Sequence, residues 1–392
     1  MVHLLPAVMI GGPPQAGKSV LFYTLTHALH ERGIAHHAIR ACPDGEGNWS
    51  QEGDKETVSN IRKPIKGAWP PEFVQRISQD LAHRCLPFLV DLGGRPTGSD
   101  TPIFRQCTHS VLLLRADEAE ATHTWRRVVA GYNLEPVAEI FSQLEGESII
   151  TSQSPILEGT ISGLKRYDRQ TATGRAFDAL VDRITALFDS YASRDVAMAF
   201  CEHSPTRLMV NLPDSLRTFT RTSNFWELEM LVPFLNTVPQ QTPLSVYGKG
   251  PNWLYAALAA HAGQQPFYQF DPRLPFGWLQ PIRVQLGNKQ LPEMTVKLDT
   301  YQDVTVLSIA FPSRHLDYFQ PDPLPVPPVP TDRGLIIDGP IPHWLLTALV
   351  RFYKESGAPW IAPHYVQEKR AVVTYSHVEI YPLGTVIPLP IR

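Results

Sequence analysis

Gly12 and the triplet Gly17-Lys18-Ser19 stand at the spacing of a phosphate-binding loop, Gly-x-x-x-x-Gly-Lys-Ser, inside the run Ala7-Val8-Met9-Ile10-Gly11-Gly12-Pro13-Pro14-Gln15-Ala16-Gly17-Lys18-Ser19. Glycines at those points let the backbone close around phosphates with its amides turned inward. Lys18 then reaches the β- and γ-phosphates as a point charge, while the Ser19 hydroxyl sits on Mg²⁺. Gly12, Gln15, Ala16, Gly17, Lys18 and Ser19 are therefore the candidate nucleotide-binding residues, and ATP with Mg²⁺ the expected cofactors. The metal also calls for a carboxylate. Asp91 closes the apolar run Leu86-Pro87-Phe88-Leu89-Val90 as a Walker-B aspartate does, so Ser19 and Asp91 form the expected metal pair. Asp91-Leu92-Gly93-Gly94 also has the Asp-x-x-Gly spacing of a loop that senses the γ-phosphate.

Other candidates are less sharply patterned. Asp44 and Glu46 lie in the Gly-rich loop Cys42-Pro43-Asp44-Gly45-Glu46-Gly47-Asn48-Trp49, after a predicted strand, where an open α/β sheet takes a second substrate. They are read as base or metal-site carboxylates, with a solvated turn as the alternative. Arg95 and Arg105 follow the Asp91 loop and are read either as phosphate sensors or as surface residues.

The elements that position these groups follow from periodicity. Ala7 to Ile10 reads as a strand, and Val20 to Arg32 as a helix with Leu21, Leu25 and Leu29 on one face. Ile34–Arg40, Leu86–Asp91, Ser110–Leu114 and Val137–Leu144 read as strands. Phe73–Arg84, Glu118–Ala130 and Arg175–Tyr191 read as helices. This alternation predicts a doubly wound, largely parallel α/β sheet. The domain resembles P-loop nucleoside kinases and GTPase-like ATPases, a likeness specific for nucleotide but not for reaction.

The totals bound the rest. A chain of 392 residues with 43% hydrophobic and 19% charged residues is globular and long enough for two or three domains. A formal net charge of -3 argues against a strongly basic surface for long nucleic acid. Cys42, Cys85, Cys107 and Cys201 show no metal or disulfide spacing, which fits thiols in a reducing cytoplasm. No apolar run reaches the length of a membrane span. Leu4 to Ile10 lacks a basic n-region and runs into the phosphate loop, so it is not read as a signal segment.

From Thr206 the texture changes to short strands, and a pattern recurs. Arg207–Leu212 and Leu244–Tyr247 read as strands, after which Gly248-Lys249-Gly250-Pro251-Asn252-Trp253-Leu254 opens a helix to about Ala262. Downstream, Met294–Leu298 pairs with Val304–Ala310 and Leu335–Asp338 is a buried strand. Gly339-Pro340-Ile341-Pro342-His343-Trp344-Leu345 then opens a helix to about Ser356, and a strand pair ends at Tyr375-Ser376-His377. This is an internal duplication. The Pro-rich stretch 320–330 is predicted to be a stiff polyproline II strap, with a ligand for proline-reading domains as the sharper alternative.

Gly248-Lys249-Gly250-Pro251-x-Trp253-Leu254, Pro266-Phe267 and Asp271-Pro272-Arg273-Leu274 together resemble the CRISPR-associated Csx-three family, over roughly residues 205–392. The resemblance implies a ring nuclease that cleaves cyclic tetra-adenylate, the second messenger of type III CRISPR defence, and fusion to a P-loop domain is an arrangement of that family. It puts the catalytic Asp and Arg on Asp271 and Arg273. The family's first histidine has no match near Gly263-Gln264-Gln265, with His261 offset, and its second would fall near Ile282. In the second copy His377 matches that second histidine, while the Asp-Pro-Arg motif gives way to His364-Tyr365-Val366-Gln367. The copies thus look complementary, and the resemblance implies one pooled centre of Asp271, Arg273 and His377.

Chemically, a carboxylate and an imidazole could hold Mn²⁺ or exchange a proton, while arginine steadies the phosphate in its transition state. Gly248, Lys249, Gly250 and Pro251 are the expected cyclic tetra-adenylate contacts at a helix start. The expected architecture is a P-loop domain over residues 1–195 followed by two tandem small α/β repeats, 205–292 and 293–392. The expected function is a cytoplasmic, homo-oligomeric, metal-dependent ring nuclease coupled to ATP binding. The alternatives are an ATPase or kinase with the tandem module as a non-cleaving sensor, and a nucleoside-type kinase with an unrelated interaction domain.

Overall fold

The computed structural model describes residues 5–42, 69–93, 96–164, 174–220, 225–288, 291–292, 294–311, 318, 322–365 and 370–389. It divides into two compact units: Met1–Phe200 with Pro272–Pro275, and Cys201–Asp271 with Phe276–Arg392.

In the first unit strands and helices alternate as the periodicity predicts. They are β1 (Ala7–Gly11), α1 (Lys18–Glu31), β2 (His37–Ala41), α2 (Pro71–Ala82), β3 (Phe88–Leu92), α3 (Thr101–Phe104), β4 (His109–Leu114), α4 (Ala119–Gly131), β5 (Glu135–Gln143), β6 (Ile149–Ser152), β7 (Leu157–Ser162), α5 (Arg175–Ser190) and α6 (Ser193–Glu202). The seven strands lie in the order β2-β3-β1-β4-β5-β7-β6. All pairs are parallel except β6 with β7. Because side chains alternate along a strand, each strand feeds two cores. Val8, Ile10, Leu89, Val111 and Leu113 pack with Leu21, Leu25 and Leu29 of α1 and Leu180 and Ile184 of α5. Met9, Val90, Leu112 and Leu114 pack with Phe73 and Ile77 of α2, Phe104 of α3 and Trp125 of α4. Helices therefore cover both faces, and each fully buried leucine contributes about 2 kcal/mol.

The second unit contains the duplication. Its first copy comprises β8 (Leu208–Asn211), α7 (Leu212–Phe219), α8 (Leu231–Leu235), β9 (Leu244–Tyr247), α9 (Asn252–Ala262), β10 (Phe267–Phe270) and β11 (Trp278–Leu279). Its second comprises β13 (Thr295–Thr300), β14 (Val304–Ala310), β16 (Gly334–Asp338), α10 (His343–Glu355), β17 (Trp360–Tyr365), β18 (Arg370–Val372), β19 (Tyr375–Ser376) and β20 (Val386–Pro388). Between them run β12 (Val284–Leu286) and, inside the second copy, β15 (Leu324–Val326).

Strands β8, β9 and β10 are parallel and β11 is antiparallel; β14, β16 and β17 are parallel and β19 is antiparallel. Helices α9 and α10 make the equivalent crossovers. They pack side by side and run in the same direction: Tyr255 near the start of α9 meets His343 at the start of α10, while Lys354 near the end of α10 donates to the Ala260 carbonyl at 2.5 Å.

Two local expectations need correction. The strand expected through Leu212 stops at Asn211, whose side-chain oxygen accepts from the Asp214 amide at 3.3 Å and caps α7, with Pro213 in the first turn. The strap 320–330 contains a strand, because β15 pairs in parallel with β12. The Leu324 and Gly287 amides supply hydrogen bonds to Arg283 and Val326, so Pro325 loses nothing by having no N–H.

Gly339, which follows β16, has φ 130°, and a Cβ there would lie 2.0 Å from the Ile309 carbonyl oxygen of β14. Gly357, with φ 93°, would meet nothing nearer than 3.5 Å. Gly339→Ala should therefore cost upwards of about 3 kcal/mol of unfolding free energy, from strain plus a backbone clash, against about 1–2 kcal/mol for Gly357→Ala, where only backbone strain acts. Urea midpoints of the two variants check this.

Candidate functional site

The phosphate loop leaves β1 and enters α1 through Gly17, which takes φ 90° at the helix N-cap. Gly12 has φ 144°, and a Cβ there would lie 1.9 Å from the Leu113 carbonyl oxygen of β4, so only glycine lets the loop leave the sheet here. The Gly17 carbonyl accepts from the Val20 and Leu21 amides at 3.0 and 2.9 Å, starting the helix. Lys18 is buried and folds back over the loop, donating to the carbonyls of Gly12 at 2.9 Å and Pro13 at 2.7 Å. These carbonyl contacts are ones a phosphate can replace with a full opposite charge.

Strand register sets the opposite wall. Asp91 on β3 lies across from Ile10 on β1 and Arg40 on β2. The Arg40 Nε donates to Asp91 Oδ2 at 3.0 Å, with only 3% and 1% of the two side chains exposed. The same guanidinium donates through Nη2 to Ser19 Oγ at 3.1 Å. A hydroxyl and a carboxylate are the correct donor pair for Mg²⁺ and would hold it beside the phosphates. Both are engaged by one arginine, a residue that strand periodicity alone does not single out. Arg105 is exposed at the C-terminal end of α3. Asp44, Glu46, Gly94 and Arg95 lie outside the described residues.

In the second unit, the C-terminal ends of the parallel strands of both copies meet the starts of α9 and α10. Exposed Lys249 lies between Gly248 and Gly250, and Pro251 caps α9 in an extended conformation. Asn252 Nδ2 donates to the His364 carbonyl of the second copy at 2.9 Å. The Tyr255 ring stacks on His343 at 4.4 Å between centroids, and its hydroxyl donates to the Gly248 carbonyl. Burial pushes the Tyr255 phenol well above its ordinary range, and the neighbouring Asp271 carboxylate pushes it further, so it stays a hydrogen-bond donor. Asp271 follows β10 at this edge, its amide bound to the Gly277 carbonyl at 2.7 Å.

Aligning Gly248 with Gly339 makes Tyr247 equivalent to Asp338, and strand register makes Phe270 equivalent to His364, since each directly follows the residue paired with the one before Tyr247 or Asp338. The first copy fills those places with a ring pair, 4.7 Å between centroids. The second has His364 Nδ1 bonded to Asp338 Oδ1 at 2.6 Å, with Ser308 Oγ 3.4 Å from the other carboxylate oxygen. His364 Nε2 and Asn252 Oδ1 are buried without a hydrogen-bond partner among the described residues. A His–Asp pair with its distal nitrogen unpaired can orient and transfer a proton.

The expected trio is not gathered in one chain. His377 is exposed beside the start of β17: Ser376 pairs with Trp360, and the His377 amide donates to the Pro359 carbonyl at 3.1 Å. Its ring nitrogen lies 3.3 Å from the Tyr375 hydroxyl. Asp271 lies at the opposite, C-terminal edge of its sheet, with Tyr255, whereas β17 alone spans about 16 Å. Arg273 belongs to Pro272–Pro275, the segment that groups with the first unit. Among the described residues no three His, Cys, Asp or Glu side chains converge, so the Mn²⁺ expectation finds no ligand group there. Burial pushes the Cys201 thiol up to about 11 and Cys107 up to about 12, so neither is poised as a nucleophile. No helix among the described residues is long and apolar enough to cross a membrane.

The Arg40–Asp91 pair also gives a stability test. Asp91→Ala removes the carboxylate paired with a buried guanidinium and should lower unfolding free energy by about 3–5 kcal/mol, whereas Ser19→Ala, which removes one hydrogen bond, should cost about 1 kcal/mol. Chemical denaturation of both variants checks the difference.

Residues 311–388 match the family model described as CRISPR-associated protein (Cas_csx3). The match runs from the end of β14 to β20. No curated protein matches the chain. Among solved structures, the signal recognition particle receptor FtsY from Elizabethkingia anophelis is 13% identical over 47% of this chain and 66% of its own, with TM-score 0.28. The putative plasmid partition protein from Borrelia burgdorferi B31, bound to AMPPNP, is 11% identical over 48% of this chain and 100% of its own, with TM-score 0.33. The septum site-determining protein MinD from Pyrococcus horikoshii, complexed with Mg-ADP, is 13% identical over 47% and 97%, with TM-score 0.32. The motif, the strand order and the loop geometry make the N-terminal domain a P-loop domain. The chain therefore joins an N-terminal P-loop domain to a C-terminal segment, residues 311–388, that is similar to the CRISPR-associated Cas_csx3 family.

Proposed function

We propose that this chain is a ring nuclease that binds and opens cyclic tetra-adenylate in its duplicated C-terminal unit, with ATP held by the P-loop domain and coupled to that activity. The supporting observation is the joined edge, where Asn252 and Tyr255 of one copy meet His364 and His343 of the other. Two parallel helix starts side by side suit a ring with phosphates on its circumference. Gly248, Lys249, Gly250 and Pro251 bind phosphate, and Asp271 and Arg273 serve the scissile group.

The reaction is an in-line transesterification. The ring's own 2′-oxygen forms a bond to the adjacent phosphorus while the bond from phosphorus to the 5′-oxygen breaks. A base takes the 2′-hydroxyl proton, and the 5′-oxygen receives one, leaving a linear product with a 2′,3′-cyclic phosphate. His364, oriented by Asp338, is the proton carrier in this reading. His377 joins Asp271 only if two chains pool their edges, which makes a homo-oligomer part of the proposal.

Labelled cyclic tetra-adenylate incubated with the protein in Mn²⁺ or in EDTA, with and without ATP, tests this. Linear product should appear, falling by about 10²-fold or more in Asp271→Ala and His364→Ala. His377→Ala should lower it only if cleavage depends on chain association, which sedimentation of the same samples reports. Absence of product in every condition overturns the nuclease reading.

The separation of His377 from Asp271 favours a second reading, a cyclic tetra-adenylate-sensing ATPase or kinase that does not cut. It predicts tight ring binding without cleavage and ring-stimulated ATP turnover that disappears in Lys18→Ala.

A further inference from the structure

Ser19 and Asp91 are the two oxygen donors that a phosphate loop offers a divalent cation, and a single side chain already bridges them. Arg40 reaches Asp91 through Nε at 3.0 Å and Ser19 through Nη2 at 3.1 Å. The arrangement is built rather than incidental. Arg40 faces Asp91 across neighbouring parallel strands, and both side chains are almost wholly buried. A guanidinium never gives up its charge near neutral pH, so Asp91 is neutralised whether or not metal is present.

We propose that Arg40 is a built-in counter-cation occupying the metal seat of the phosphate loop, and that its guanidinium must leave Ser19 and Asp91 before a divalent cation can use those oxygens. The inference rests on nucleotide binding at this loop. Two cations cannot share the same pair of oxygens at bonding distance without repulsion, so occupancy by one requires withdrawal of the other. The guanidinium that withdraws lies beside the loop that holds the phosphates and can pair with them. Arg40 thereby makes metal entry conditional on nucleotide, because the phosphates supply the new partner. It is a positioning residue, acting through Ser19 and Asp91.

The test uses the full chain with AMPPNP and two readouts. In protein labelled with ¹⁵N-arginine, the buried Arg40 Nε–H gives a protected resonance, identified by its loss in Arg40→Lys. It should persist when AMPPNP is added in EDTA and should move or vanish on saturation with Mg²⁺. Separately, the Mg²⁺ concentration giving half its effect on AMPPNP affinity should fall by about ten-fold or more in Arg40→Met, where the competing charge is gone. A resonance unmoved by Mg²⁺ at full nucleotide occupancy overturns the proposal, even if Arg40→Met does not fold. An unchanged or higher Mg²⁺ midpoint in a folded Arg40→Met overturns it as well. No AMPPNP binding in either medium removes the nucleotide-binding reading itself, and this inference falls with it.

Discussion

A single steric constraint recurs in both units: a strand must turn into a helix while its backbone lies against the neighbouring strand's carbonyl. Gly12 does this beside Leu113, and Gly339 beside Ile309, with a phantom Cβ 1.9 and 2.0 Å from the respective oxygens. Neither place admits a side chain, and both backbones take positive φ values. The turn delivers the start of a helix to the C-terminal edge of a parallel sheet, where peptide dipoles and unpaired amides collect. Among the described residues, Lys18, Ser19, Arg40, Asp91, Asp338 and His364 are arranged around such a turn or across from it.

The two edges handle charge differently. At the phosphate loop the balance is internal: Asp91 is matched by Arg40, and Lys18 rests on the Gly12 and Pro13 carbonyls. At the duplicated edge the second copy carries an acid–imidazole pair, and Asn252 and His364 each keep a buried polar atom that finds no partner among the described residues. A buried polar atom without a partner is costly. The two atoms lie on residues that already touch across the duplication, which makes that seam the place where a ligand's polar groups would find acceptors and donors.

The glycines, the lysine and the apolar runs were legible in the sequence because each acts locally, within one turn or one strand. Arg40 was not, because its partner lies 51 residues away and only strand order brings them together. The His364–Asp338 pair spans 26 residues and escaped for the same reason, although an acid just before Gly339, where Gly248 follows Tyr247, was a usable signal. Complementarity of the copies groups His377 with Asp271 but cannot tell one end of a strand from the other; antiparallel pairing of β19 with β17 sets His377 beside the start of β17. Strand β15 was hidden because Pro-rich composition speaks for extended backbone but says nothing about a pairing partner. The family model matches residues 311–388, within the second copy, whereas the residues that carry the resemblance in the sequence lie mainly in the first.

Duplication within one chain has an evolutionary consequence that assembly from identical chains does not. In a symmetric dimer each substitution appears twice, at positions related by the axis. Here Tyr247 and Phe270 in one half answer to Asp338 and His364 in the other, a divergence that no dimer of a single repeat could encode. Tandem fusion has released the halves from mirrored inheritance, so that one can keep an apolar buttress while the other specialises in polar chemistry.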